Sequence, residues 1–175
     1  ALKVESADGI FAGETLTDQI TRLYFMDNRV LAVSDRTIAA YSVGDGDNVK
    51  MNWELPLQNK ISQFCLYGEA GFCFVTDEPF PDIDEPQNAG ILNFYSMNGR
   101  RTGKFTLNGG ADYLSMNWGG AIVGSGMDYS AVNSRGAVLW RYKAQADLQQ
   151  LIFLDDENTV LAAGSSAASI IRRGA

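Results

Sequence analysis

The chain has 175 residues, 46% of them hydrophobic, which is enough to bury one core and leaves little room for a second domain. Its formal net charge of -7 repels phosphate groups and anionic lipid surfaces, which argues against nucleic acid as a partner. It contains no His and no run of about 18 uncharged apolar residues, so neither His-dependent catalysis nor a membrane-spanning helix is expected within it.

The chain opens on two short candidate strands within residues 1–16. One is residues 2–6, and the other is residues 10–14, which follow a turn at Asp8 and Gly9. Along the whole chain, apolar segments are short and are separated by Gly, Asn, Asp and Ser, a pattern typical of β-strands joined by tight turns. The sequence therefore predicts an all-β protein.

From residue 22 onward one unit recurs: an apolar strand, a polar turn, and an apolar strand that ends in small residues. The four hairpins of this kind span residues 23–33, 64–75, 114–124 and 151–162. A third strand follows each of the first three hairpins, at residues 38–43, 91–96 and 129–132. A fourth strand then carries Trp53, Phe105 or Trp140. The repeat units are residues 22–57, 63–108, 113–143 and 150–175.

Four-stranded units that recur every ~40 to 50 residues are typical of β-propeller blades. The predicted fold is an all-β propeller of about four four-stranded blades in one domain, residues 1–175. The aromatic residue of each fourth strand is expected to fill the wedge between neighbouring blades. A β-sandwich with coincidental spacing is the alternative. The last unit ends before its fourth strand, so the N-terminal strand, a larger ring or a second copy of the chain is expected to cover its edge.

The third unit carries a motif with Tyr129, Ala131, an Asx/Gly turn from Asn133 to Gly136, and Trp140. This motif resembles the repeat of quinoprotein-like (pyrroloquinoline-quinone-type) β-propellers, and residues 91–105 and 38–53 are weaker copies of it. The resemblance implies a propeller fold and favours an extracytoplasmic location. It implies no single activity, because that superfamily includes quinone-dependent dehydrogenases, outer-membrane assembly scaffolds and surface or secreted domains.

The sequence offers no recognisable catalytic machinery. It has no nucleophile-elbow, phosphate-loop or dinucleotide-binding glycine motif, and two Cys residues cannot complete a four-ligand zinc site. No catalytic residue, cofactor or metal is therefore predicted. Cys65 and Cys73 lie on the two arms of one predicted hairpin, where either a disulfide or two buried thiols would fit; buried thiols are favoured.

The most distinctive segment is an acidic, Pro-rich insertion at residues 77–86. We expect it to be a solvated connection, a contact for a cationic partner, or, as a weaker alternative, a calcium loop. Trp118 also lies in the turn of the third hairpin, where it could either contact a partner or fold back over its own blade. The candidate partner contacts are Asp77, Glu78, Phe80, Asp82, Ile83, Asp84, Glu85 and Trp118.

These observations together favour a non-catalytic binding or scaffold propeller with a protein partner. A quinone-dependent dehydrogenase fragment is the alternative enzyme, although no set of positions matches the calcium site and catalytic Asp that such an enzyme needs. A carbohydrate-binding propeller is the third hypothesis, with Trp118 and Tyr129 as the residues that would contact the glycan.

Overall fold

The computed structural model describes most of the chain. The described residues are 3–6, 9–12, 20–44, 49–79, 88–117, 119–144, 148–154, 159–164 and 168–172. They form β-strands throughout, apart from turns and one short 3-10 helix at Gly68–Ala70. The chain divides into two compact units, Ala1–Ile61 and Ser62–Ala175. The predicted all-β propeller fold is confirmed.

The first unit holds a two-stranded ribbon and one four-stranded sheet. The ribbon pairs β1 (Lys3–Ser6) with β2 (Gly9–Ala12). The first sheet consists of β3 (Ile20–Met26), β4 (Arg29–Ser34), β5 (Thr37–Val43) and β6 (Val49–Pro56). Because β1 and β2 pair with each other, closure of a ring by the N-terminal strand stays a prediction.

The second unit holds three sheets. The second sheet consists of β7 (Ile61–Tyr67), β8 (Gly71–Pro79), β9 (Asn88–Tyr95) and β10 (Arg101–Thr106). The third sheet consists of β11 (Tyr113–Asn117), β12 (Gly120–Ser125), β13 (Asp128–Asn133) and β14 (Val138–Lys143). The fourth sheet consists of β15 (Leu148–Phe153), β16 (Thr159–Gly164) and β17 (Ala168–Arg172). In every sheet the strands follow one another in chain order.

The strand positions agree closely with the predicted repeat. Each of the four predicted hairpins is present, and the third and fourth strands fall where the sequence places them. The sequence pattern predicts a first turn of Asp27, Asn28 and Arg29. The turn is one residue shorter, because Met26 of β3 pairs with Arg29 of β4 and leaves only Asp27 and Asn28 between the strands. Asp27 has φ 43°, a left-handed conformation that Asp tolerates better than most residues.

Two of the predicted aromatic residues, Trp53 and Trp140, occupy equivalent positions beside the register shift of the fourth strand. Phe105 lies two residues beyond the equivalent position, which Gly103 occupies. Trp53, Phe105 and Trp140 lie opposite Ala40, Leu92 and Ala131, respectively. Phe105 packs against the core between the second and third sheets, and Trp140 against the core between the third and fourth. In the second unit these aromatic side chains therefore fill the space between neighbouring sheets, as expected.

The third sheet is packed on both of its faces. Successive residues of a strand point to opposite faces, so Val123 contacts the second sheet and Ile122 the fourth. The phenol of Tyr113 on β11 also bonds the main chain of Leu151 on β15, as an acceptor from its N–H at 3.1 Å and as a donor to its carbonyl. A β-sandwich leaves the outer face of each sheet uncovered, so the sandwich alternative is wrong for this unit.

The same turn closes the third and fourth strands in the second and third sheets. The Ser96 N–H donates to the Arg100 carbonyl and the Gly99 N–H to the Ser96 carbonyl. The N–H groups of Asn133 and Gly136 bond in the same way to the carbonyls of Ala137 and Asn133. The Asn133 side chain adds a further acceptor for the N–H groups of the turn. The predicted Asx/Gly turn is thus present, and it repeats.

Candidate functional site

The structure describes only part of the predicted partner contact. Asp77 lies half-buried on β8, where its Oδ1 accepts a hydrogen bond from Ser62 Oγ at 3.4 Å. Glu78 continues the backbone of the same strand. Phe80, Asp82, Ile83, Asp84, Glu85 and Trp118 lie outside the described residues. Contact with a partner through the acidic segment stays a prediction.

A row of apolar side chains crosses the fourth sheet on the face that points away from the third. Ile152 on β15 is in register with Leu161 on β16, which is in register with Ile170 on β17. Ile152 and Ile170 are 37% and 58% exposed, whereas their chain neighbours Leu151 and Ile171 pack into the core between the sheets. We call Ile152, Leu161 and Ile170 the apolar row. Sequence reasoning did not identify it, because the pattern alone does not say which face of a terminal sheet is covered.

The apolar row ends at a free strand edge. β17 pairs with β16 on one side, and among the described residues no strand pairs with it on the other. Residues 168–170 and Arg172 are exposed along this strand. A free edge carries unpaired backbone N–H and C=O groups, which can pair with a strand of another protein.

A cleft of about 620 Å³ lies between the second and third sheets. It is lined by residues 105–110, which end β10 and begin the connection to β11, and by residues 123–125, 128–130 and 141–143 of the third sheet. We call this space the inter-sheet cleft. Of the residues that the sequence singled out, Phe105 and Tyr129 line it, and it includes none of the fourth sheet. Sequence reasoning missed the cleft, because its shape depends on how two sheets diverge.

Both Cys residues are free thiols: Cys73 belongs to the core between the second and third sheets, and Cys65 packs against that core. Burial raises the pKa of Cys73 well above its ordinary value of 9.0, and the neighbouring Cys65 raises it further. Burial also raises the pKa of Cys65, partly offset by a hydrogen bond from the main chain of Met116. Because the thiolate is the reactive form, neither side chain is placed to act as a nucleophile near neutral pH.

We expect Cys73 in the folded protein to react with iodoacetamide at pH 8 at least ~100-fold more slowly than in urea, because the thiol is both protonated and inaccessible. The raised pKa also means that the unfolded state loses this proton first as the pH rises. The free energy of unfolding should therefore fall above about pH 9, by up to ~1.4 kcal/mol per pH unit from this thiol. Mass spectrometry and urea unfolding measure these effects. Rapid labelling of the folded protein at Cys73, or a disulfide in non-reduced samples, would contradict the assignment.

Two further observations concern the described residues. Among them, no three His, Cys, Asp or Glu side chains are grouped so as to hold a metal ion. None of the helices found there has the length and hydropathy needed to cross a bilayer.

Four meander sheets, three of them stacked face to face in the second unit, define a protein of the β-propeller class. A family model described as a family of unknown function (DUF5711) matches residues 5–172. The chain therefore belongs to this family. No curated protein matches it in sequence.

Several solved propeller structures are similar in fold. Hsv2 from Kluyvelomyces marxianus has a TM-score of 0.54 and 10% identity, over 90% of this chain and 49% of that one. BamB from Moraxella catarrhalis has a TM-score of 0.52 and 12% identity, over 86% and 42%. A structure described as the eukaryotic initiation factor has a TM-score of 0.56 and 11% identity, over 96% and 47%. This chain thus spans less than half the length of each. At such identities these likenesses show the fold alone, so the resemblance to quinoprotein-like repeats stays a prediction.

Proposed function

We propose that this chain is a non-catalytic scaffold propeller that binds a protein partner by accepting a β-strand at the edge of its fourth sheet. The observation that carries the proposal is the fourth sheet itself. It has three described strands where each of the other blade-like sheets has four, and the edge of β17 with which no described strand pairs adjoins the apolar row. Strand addition at an exposed edge is a common way to bind a protein, with main-chain hydrogen bonds giving affinity and alternate side chains giving specificity.

The positions of the side chains along β17 suggest what the partner strand carries. A strand added beside β17 would bring alternate residues next to Ile170 and so lengthen the apolar row by one side chain. Arg172 lies two residues further along the same face and is exposed. An extended segment with one apolar residue and a carboxylate two positions away would complement both.

Several features support a role without catalysis. The chain has no His, and both thiols are held in the protonated form by burial.

The acidic segment at residues 77–86 and Trp118 are proposed as a second contact area, for a cationic part of the partner.

A synthetic peptide with the sequence of β6 (Val49–Pro56) serves as a surrogate fourth strand, since β6 pairs with the third strand of its own sheet and carries apolar residues at alternate positions, Met51, Trp53 and Leu55. We expect this peptide to slow amide hydrogen exchange in residues 168–172, and a scrambled peptide of the same composition to leave it unchanged. If the two peptides have the same effect, or neither has any, the proposed strand addition is wrong.

Ile170→Lys should abolish this protection, because it places a charge in the apolar row. Phe25→Lys is the matched control, since Phe25 is an apolar residue of the first sheet that is 64% exposed. Both changes are at exposed positions and should alter the free energy of unfolding by no more than about 0.5 kcal/mol. Protection that persists in Ile170→Lys would show that the peptide binds elsewhere.

A further inference from the structure

The inter-sheet cleft has the size of a small-molecule site. Its volume of about 620 Å³ falls within the ~300–1,000 Å³ that ligand pockets usually enclose. Phe105, Leu107 and Val123 form its apolar part, next to the core between the second and third sheets. The rest of the lining is mostly polar, which suits a polar ligand better than an apolar one.

Two cationic side chains line the cleft in a chain whose net charge is -7. Arg141 and Lys143 are alternate residues of β14, so they share one face about 7 Å apart along the strand, and both are exposed. Among the described residues, neither cation has a carboxylate oxygen within 4.0 Å. Their positive charge is therefore available to a ligand.

The two cations differ in what lies opposite them on β13. Lys143 is in register with Asp128, which also lines the cleft and balances part of the lysine charge. Arg141 is in register with Ser130, whose hydroxyl is neutral and can donate a hydrogen bond. The nearby carboxylate of Asp112 accepts a hydrogen bond from Ser125 Oγ at 2.7 Å and does not line the cleft. Of the two cations, Arg141 is therefore the one with no carboxylate in register with it on β13.

Uncharged polar groups complete the lining. Thr106, Asn108 and Ser125 present hydroxyl and amide groups, and the backbone of Gly109 and Gly110 is open, since a Cβ at either position would meet no atom within 4 Å. Such groups can both donate to and accept from the hydroxyls of a polar ligand.

We propose that the inter-sheet cleft binds a small polar molecule that carries a carboxylate or phosphate group, with this oxyanion held by Arg141 and Ser130. The guanidinium can donate two parallel hydrogen bonds to either oxyanion, and Lys143 adds a weaker attraction because Asp128 faces it. The site is separate from the strand edge of the fourth sheet, so it does not depend on the scaffold function proposed above.

The test is a calorimetric titration of the protein with glucuronate, with glucose 6-phosphate, and with glucose as the uncharged control. At least one anion should bind, and glucose should bind at least about tenfold more weakly. Arg141→Gln should weaken binding of that anion about tenfold, and Lys143→Gln about threefold. Arg101→Gln is the matched control, because Arg101 is an exposed cation on β10 that lies outside the cleft. Unchanged thermal midpoints will show that all three variants are folded.

Preference for glucuronate would identify a carboxylate ligand, and preference for glucose 6-phosphate a phosphate ligand. Failure of both anions to bind overturns the proposal, and so does equal affinity for glucose or an unchanged affinity in Arg141→Gln. Ile170→Lys should leave these titrations unaltered, so failure here is distinguishable from failure of strand addition.

Discussion

Replacing Gly136 by Ala is expected to lower the free energy of unfolding by about 2–4 kcal/mol. Gly136 lies in the turn between β13 and β14 with φ 88°, and an added Cβ would approach the main-chain oxygen of Lys104 on β10 to less than 3.0 Å. The contact is reciprocal, because a Cβ at Gly103 would meet the main chain of Ser134 and Arg135. The third sheet thus packs against β10 backbone to backbone, and neither side can yield without moving a whole strand or turn.

Substitutions at two other glycines distinguish the backbone strain of a positive φ from the steric contact of the added Cβ. Gly126 also has a positive φ, 58°, but a Cβ there meets nothing within 4 Å, so Gly126→Ala should cost only about 1–2 kcal/mol of backbone strain. Gly110 has neither constraint, and Gly110→Ala should change stability by no more than about 0.5 kcal/mol. Urea unfolding followed by tryptophan fluorescence measures all three. If Gly136→Ala lowers the free energy of unfolding no more than Gly126→Ala does, the close packing of the Gly136 turn against β10 is wrong.

Replacing Phe94 by Ala is expected to cost about 3–5 kcal/mol. Phe94 lies on β9, is 1% exposed, and belongs to the core between the second and third sheets. Truncation removes buried apolar area and leaves a cavity between two sheets whose backbones are already in contact at Gly103 and Gly136, so the gap cannot close by sliding one sheet toward the other. Against a typical total of ~5–15 kcal/mol, this is a large fraction of the stability.

Phe25→Ala provides the comparison for this loss, because Phe25 is also on a strand but is 64% exposed. Its truncation should leave the free energy of unfolding within about 0.5 kcal/mol of that of the unchanged protein. Hydrogen exchange should show that Phe94→Ala loosens the second and third sheets first. Equal stabilities for the two variants would contradict the arrangement of the core.

Most of the fold could be predicted because its signals are local. Each hairpin is an apolar segment, a polar turn and another apolar segment, and alternation within strands needs no tertiary information. The fourth-strand aromatic residues were visible in the sequence, and the register shows that Trp53 and Trp140 are equivalent, whereas Phe105 lies two residues beyond the equivalent position. The first turn was predicted one residue too long, because Arg29 belongs to β4 and its sequence does not distinguish strand from turn.

The candidate sites were harder to predict, because they arise where sheets meet or end. Arg141 and Lys143 look like ordinary exposed residues of an outer strand, and only the divergence of two sheets places them on the wall of a cleft. Ile152 and Ile170 look like core residues until the sheet is seen to lack a described neighbour on that face. The sequence directed attention instead to residues 77–86, of which the structure describes only the first three.

The last strand of each four-stranded sheet shares a feature that bears on solubility. In all three, its pairing with the preceding strand is interrupted by a register shift, at Ala40/Tyr41, Arg101/Gly103 and Ala131/Val132. Such bulges bend a strand, and the exposed positions of these strands also carry charges such as Lys50, Lys104 and Arg141. A bent, charged edge strand is a poor template for fibril growth, so the last strand of each of these three sheets is poorly suited to pairing with another copy of the chain. β17 lacks such an interruption, because its pairing with β16 is regular along its described length.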